Sequence, residues 1–170
     1  MKAKRQSGNR AFVISLAVAF VAAIIPSPAA AQSLSSKEAE AIIAAQARKV
    51  ILALSSRNMT QLSQVVHPGE GLRFSPYNYV RTEKNGDRVF NRRQVTGLFA
   101  DRKKYLWGED DSSGDPIRMT FARYYRHYVF DHDFSRATQV IYTPETMTRG
   151  ALISNFREVY PQAIVVEILV

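Results

Sequence analysis

Hydropathy divides the chain near its start. Ala11 to Ile25 is apolar without interruption except at Ser15; Lys2, Lys4, Arg5 and Arg10 precede it, and Pro26-Ser27-Pro28-Ala29-Ala30-Ala31 follows. A basic start, an apolar run and a helix break ending in small residues form the layout that a signal peptidase reads. A run of fifteen residues is short for crossing a bilayer, which takes about 20 residues of helix, and no charged stop comes directly after it. Residues 1–31 are therefore expected to be a signal peptide cleaved after Ala31, and residues 32–170 a single exported domain.

Within that domain the helical spacing comes first. Ser35 with Glu38 reads as a capping box, and Ala39, Ile42, Ile43, Gln46, Val50 and Leu54 recur at helical intervals as far as Ser55. Asn58 is placed to cap a short helix carrying Met59, Leu62, Val65 and Val66, stopped by His67-Pro68-Gly69. Strand-like runs follow at Leu72 to Ser75 and Tyr77 to Thr82, broken at Pro76, which cannot donate to a central ladder. Asn85-Gly86 is a tight-turn pair, so Tyr79 to Phe90 reads as a hairpin. Asn91 with Gln94 forms a second capping box ahead of Val95, Leu98 and Phe99, and Lys103 to Trp107 is again strand-like.

The stretch from Gly108 to Pro116 is acidic, with Ser and Gly, and reads as a surface loop before a short strand, Ile117 to Met119. Thr120 then caps a helix from Phe121 to about Asp131, with Phe121, Tyr124, Tyr125, Tyr128 and Val129 on one broad face. Ala137 to Tyr142 reads as a strand, Ser154 or Asn155 opens a helical turn through Val159, and Ala163 to Val170 is an apolar strand broken only by Glu167. Helices first and strands later, without alternation or internal repeats, predict an α+β domain in which N-terminal helices pack on a curved antiparallel sheet.

Charge changes the picture once the leader is set aside. The whole chain carries a net +8, but residues 1–31 hold four of its basic and none of its acidic side chains; nineteen basic less fifteen acidic leaves +4. That is an ordinary solubilising charge, and no nucleic-acid partner is expected from it. The chain has no cysteine. Disulfides, thiolate metal sites, a Cys nucleophile and a lipid-bearing Cys are thereby excluded, so the cleaved domain is expected to be free of the membrane, in the periplasm or the extracellular medium. Packing alone must hold it together.

Three segments carry a resemblance. They are Val66-His67-Pro68-Gly69-Glu70-Gly71-Leu72-Arg73-Phe74-Ser75-Pro76-Tyr77; Tyr105-Leu106-Trp107-Gly108 with Asp115-Pro116-Ile117 and Tyr124-Tyr125; and Asn155-Phe156-Arg157-Glu158-Val159-Tyr160-Pro161. Together they resemble a group of exported bacterial proteins, often lipoproteins, of unassigned function, and the resemblance runs from about Val65 onward. It implies an NTF2-like (cystatin-like) α+β cone and brings no catalytic residues with it. This chain departs from the group in lacking the lipid-bearing Cys and a further strand pair after its last strand. An incomplete cone would leave Ala163 to Val170 with an open edge, which suggests a homodimer through the C-terminal strand or a misfolding-prone truncated product.

The sharpest chemical cluster is His127, Asp131, His132 and Asp133. His127 and Asp131 are four apart on a helix, hence on one face, where imidazole and carboxylate serve as base and orienter or as metal ligands. Without an H-E-x-x-H pattern, capping of a helix end is the commoner use of such residues, and no metal or cofactor is expected. Arg73, Tyr77 and Trp107, with Arg92, Arg93 and Tyr79, are candidates to line a pocket, because guanidinium grips carboxylates and such cones bind small molecules in their mouths. Glu109 to Asp115 has the oxygen content of a calcium loop without the EF-hand spacing, and G-x-S-x-G is absent. The expected function is binding of a small molecule or protein partner. The alternative is an NTF2-like enzyme doing proton transfer or dehydration, with His127 or Asp131 as base and Tyr124 or Tyr128 as hydrogen-bond donor. The two differ in one checkable way, since such a base must face an enclosed, water-poor cavity.

If the leader reading holds, N-terminal sequencing of protein recovered outside the cytoplasm starts at Gln32; a chain still carrying Ala11 to Ile25 would refute it.

Overall fold

A computed structural model describes residues 36–77, 79–84, 86–137, 139–143, 155–161 and 163–169. The leader and the Ser35 cap lie outside these residues, as do Asn85 and Ser154.

The first helix, α1 (Ser36–Ser55), buries only its second half, through Ala47, Val50, Ala53 and Leu54. Ile42, one of the apolar positions recurring at helical spacing, is 46% exposed. Helical spacing identifies a face, but how far along that face a neighbour reaches is decided by the neighbour. The second helix, α2 (Met59–Gln64), begins where Asn58 accepts a hydrogen bond from the Gln61 amide at 3.0 Å. Arg57, at φ 54°, makes the left-handed reversal between the two helices.

Strand β1 (Leu72–Phe74) pairs antiparallel with β2 (Arg88–Phe90), Leu72 opposite Phe90 and Phe74 opposite Arg88. The hairpin expected over Tyr79 to Phe90 does not form. Its turn is present, with the Gly86 amide bonded to the Glu83 carbonyl at 2.8 Å and the Asp87 amide to the Arg81 carbonyl at 3.0 Å. Tyr77 and residues 79–82, however, form a loop rather than a strand. Pro76 precedes it, and side chains from elsewhere bond the backbone of Val80 and Arg81. Gly71, at φ 73°, precedes β1, and a Cβ there would lie 2.8 Å from the Phe90 carbonyl oxygen.

Helix α3 (Arg92–Gly97) has the full capping box, Asn91 and Gln94 exchanging side-chain to backbone bonds, and its Val95 is fully buried beside Leu98. Strand β3 (Tyr105–Glu109) begins and ends two residues later than the Lys103 to Trp107 pattern suggested and pairs antiparallel with β4 (Pro116–Met119) across an irregularity between Leu106 and Glu109. The predicted helix through Asp131 is shorter and of two kinds. After α4 (Phe121–Tyr124) the chain widens into a π turn, Tyr125–Val129, closed by the Phe130 amide on the Tyr125 carbonyl at 2.7 Å. A spacing rule tuned to 3.6 residues per turn cannot register that change.

Strand β5 (Gln139–Thr143) pairs antiparallel with β6 (Val165–Leu169) along its whole length, and between them lies the short helix α5 (Phe156–Val159). The sheet has two strands, so among the described residues the last strand is paired along one edge only. The architecture is α+β: α1 and α2 lead, the later helices alternate with strands, and in place of the single curved sheet expected from the sequence the described strands form three separate antiparallel pairs.

Aromatic packing joins these pieces. Trp107 on β3 stacks on Tyr124 of α4 with ring centres 3.9 Å apart and 11° between planes, and its Nε1–H donates to the Met119 carbonyl at 2.9 Å. Phe74 meets Phe90, Trp107, Phe121 and Tyr124 edge-on at 5.3 to 6.3 Å. The Tyr125 hydroxyl donates to the Leu54 carbonyl, tying the π turn to α1.

Trp107→Ala is expected to cost about 3–5 kcal/mol, the usual range for emptying a large aromatic site. Chemical denaturation checks this, Trp107→Phe should lose less than half as much, and equal losses would show that the stack on Tyr124 contributes little.

Candidate functional site

The acid-base candidates lie on the surface. His127, Asp131, His132 and Asp133 are all exposed. Asp131 pairs with its neighbour His132 at 3.1 Å, while Asp133 caps the turn Phe134–Arg136, accepting from the Ser135 amide and hydroxyl and pairing with Arg136 at 3.3 Å. No group of three or more His, Asp or Glu side chains among the described residues is arranged to hold a metal ion. Tyr124 is buried and Tyr128 half-buried, their rings stacked at 5.1 Å, so the candidate bases and hydrogen-bond donors occupy different environments.

The pocket candidates separate as well. Trp107, at 1% exposure, has no surface to offer a ligand. Arg73 and Tyr77, by contrast, meet around the loop between β1 and β2. The Arg73 side chain donates through Nε to the Tyr160 hydroxyl at 2.8 Å and through Nη1 to the Arg81 carbonyl at 2.9 Å. The Tyr77 hydroxyl donates to the Glu109 carbonyl at 2.9 Å and accepts from the Glu109 amide, which pins the loop to β3. Gly108 makes this possible. At φ 151° it adopts backbone that L side chains avoid, and a Cβ there would stand 2.5 Å from the Tyr77 hydroxyl.

Asn155 closes the loop from the other side. Its side-chain amide donates to the Val80 carbonyl at 2.8 Å and accepts from the Val80 amide at 2.7 Å, a two-bond clamp that imitates a ladder pair. Asn155 and Tyr160 belong to one of the three segments singled out in the sequence, and Arg73 and Tyr77 to another. Their long-range bonds account for those polar residues structurally.

The loop and the acidic turn of residues 110–115 face each other across an open cleft of about 710 Å³. Tyr77, Tyr79, Arg81 and Glu83 line one wall, Glu109 and Asp111 the other. The rings of Tyr77 and Tyr79 stack at 5.2 Å and 13°, the Arg81 guanidinium lies 5.3 Å from the Tyr77 ring centre, and Arg81 pairs with Glu83 at 2.7 Å. That hydrogen bond lowers the Glu83 pKa. Asp110 is turned into its own loop, accepting from the amides of Ser112 and Ser113 and from the Ser112 hydroxyl, and these bonds hold its carboxyl below the ordinary range.

Below the loop sits a group that the sequence reading passed over. The Asp87 side chain is wholly buried; Oδ2 accepts from the Arg81 amide at 2.8 Å with Arg73 Nη1 at 4.0 Å, and Oδ1 has no hydrogen-bond partner. Burial pushes its carboxyl above the ordinary value of 3.8, against the opposing pull of the Arg81 amide, Ser75 and the Arg73 and Arg81 guanidinium groups. Tyr124 is raised as well, first by burial and then by the Asp87 charge. An aspartate immediately after Asn-Gly reads as part of a turn, and only the tertiary contacts reveal its burial. Tyr105, pushed up to about 12 by its hydrogen bond to Asp101, lies at the opposite end of β3 from Glu109.

No protein-family model matches this chain, and neither a curated protein nor a solved structure is found to be similar to it. The site stands on its own geometry.

An acid whose pKa is raised on folding binds more protons folded than unfolded, so its contribution is most favourable at low pH and is lost as pH rises from 3.8 through the raised value. Asp87→Asn removes that loss. The melting temperature of the variant relative to the parent is expected to climb between about pH 4 and pH 7, the other carboxylates cancelling in the difference. A difference that stays flat with pH would show that Asp87 titrates normally.

Proposed function

We propose that the chain is an exported binding domain whose ligand lies in the cleft between the Tyr77–Glu83 loop and the acidic turn, and that this ligand is a small organic cation. The stacked Tyr77 and Tyr79 pair carries the reading: Tyr77 is immobilised by Glu109 while Tyr79 remains 41% exposed at the cleft. An aromatic face next to Glu83, Glu109 and Asp111 is the chemistry that attracts a cation, and Arg81 already occupies such a position against Tyr77. The loop is tied down by Asn155, Arg73 and Tyr77, so little ordering is left for a ligand to impose. The scaffold in this proposal is an NTF2-like cone; the order of a long helix followed by antiparallel strand pairs supports it.

A second reading, proton transfer, draws support from one observation. A buried carboxylate with a raised pKa beside a buried tyrosine is a combination that acid-base chemistry uses, and here it is Asp87 with Tyr124 rather than the exposed His127 and Asp131.

Titration with choline and with an arginine amide, followed by amide chemical shifts, distinguishes the readings. Binding is expected to be saturable and centred on residues 77–83 and 109–114. Tyr79→Ala and Asp111→Asn should each weaken it about two- to fivefold, the usual worth of one exposed cation–aromatic or charge contact. Absence of saturation with both cations, or undiminished binding by the two variants, would remove the binding reading.

A further inference from the structure

A second groove of about 510 Å³ lies between α1, α2 and the His67-Pro68 turn, and its character is opposite to that of the acidic cleft. Its charged lining is Lys49 from α1 and Arg92 from α3, and none of its described lining residues is acidic. Both basic residues are exposed.

The donors are set by local structure. Arg92 is held at the start of α3 by the Asn91–Gln94 capping box, and its Nε–H donates to the Val66 carbonyl at 2.7 Å, which anchors the base of the guanidinium and leaves its outer nitrogens for a ligand. At His67, Nδ1 accepts from the amides of Gly69 at 3.2 Å and Glu70 at 2.8 Å. In the neutral imidazole the proton must then sit on Nε2, so this ring too presents a donor.

The remainder of the lining is apolar or neutral. Val65, Val66 and Pro68 contribute from the α2 side, and Leu52, 54% exposed, from α1. Gln46, Lys49 and Leu52 recur every three residues along α1, and Ile42, 46% exposed, stands one turn before Gln46. The exposed stripe of α1 therefore carries its cation between two apolar side chains.

We propose that this groove is a separate binding site for an amphiphilic carboxylate, whose head is gripped by Arg92 and Lys49 and whose aliphatic part lies on Leu52, Val65 and Pro68. Planar guanidinium and a single ammonium suit a carboxylate head, and the apolar flank suits a hydrocarbon rather than a second charge. The site shares no residue with the Tyr79 cleft, so each stands or falls without the other.

Octanoate, acetate and octyltrimethylammonium, titrated into the full chain below any micellar concentration, test the proposal. Octanoate is expected to shift amides of α1, α2 and residues 66–69 saturably, with acetate and the ammonium amphiphile both weaker. Arg92→Gln and Lys49→Gln should each reduce octanoate affinity at least about fivefold, as loss of a charged hydrogen-bond partner does. Lys49 is an exposed helix position, so its variant remains a test if Arg92→Gln disturbs α3. Equal binding of the two amphiphiles, acetate binding as tightly as octanoate, or undiminished affinity in Lys49→Gln would each overturn the proposal.

Discussion

The stack of Trp107 on Tyr124 is the contact on which the other arrangements rest. It is formed between a strand and a helix that approach from different parts of the chain, and Phe74 and Phe121 close around it. With no cysteine available for a covalent link, burial of these rings must supply most of what holds β1–β2, β3–β4 and α4 in one place. The indole and the Tyr125 hydroxyl both find backbone carbonyl acceptors, so the largest buried side chains enter the core without stranding those polar atoms.

Around that core, the loop between β1 and β2 solves a different problem. It contains strand-forming residues yet no ladder, and its backbone groups are met by side chains: Asn155 at Val80, Asp87 and Arg73 at Arg81. Distant residues thereby make a rigid wall from a segment that local propensity alone would extend. The cost is concentrated at Asp87, whose second oxygen is left without a partner in a place where charge is disfavoured. A buried polar atom of that kind marks the loop as more than a connection.

The two surface depressions are chemically distinct because different elements line them. Turns rich in Asp, Glu and Tyr border one; helix faces carrying Lys, Gln and Leu, with Arg92 from α3, border the other. A modest net charge on the whole chain conceals this separation. Binding chemistry depends on which charges converge locally, and a sum over the sequence cannot express that.

Much of the local structure was legible in the residues themselves. The caps at Asn58 and Asn91, the long first helix and the turn at Gly86 follow from nearest neighbours in sequence, because hydrogen bonds spanning two to six residues decide them. Tertiary structure alone decided the rest: that Tyr77 and residues 79–82 form a wall instead of a strand, that Ile42 stays in water, that the helix after Thr120 widens into a π turn, and that Asp87 rather than Asp131 is the buried acid. The first of those outcomes depends on a partner many positions away, 75 residues separating Val80 from Asn155. Burial is a property of the assembled surface, and no window along the chain contains it.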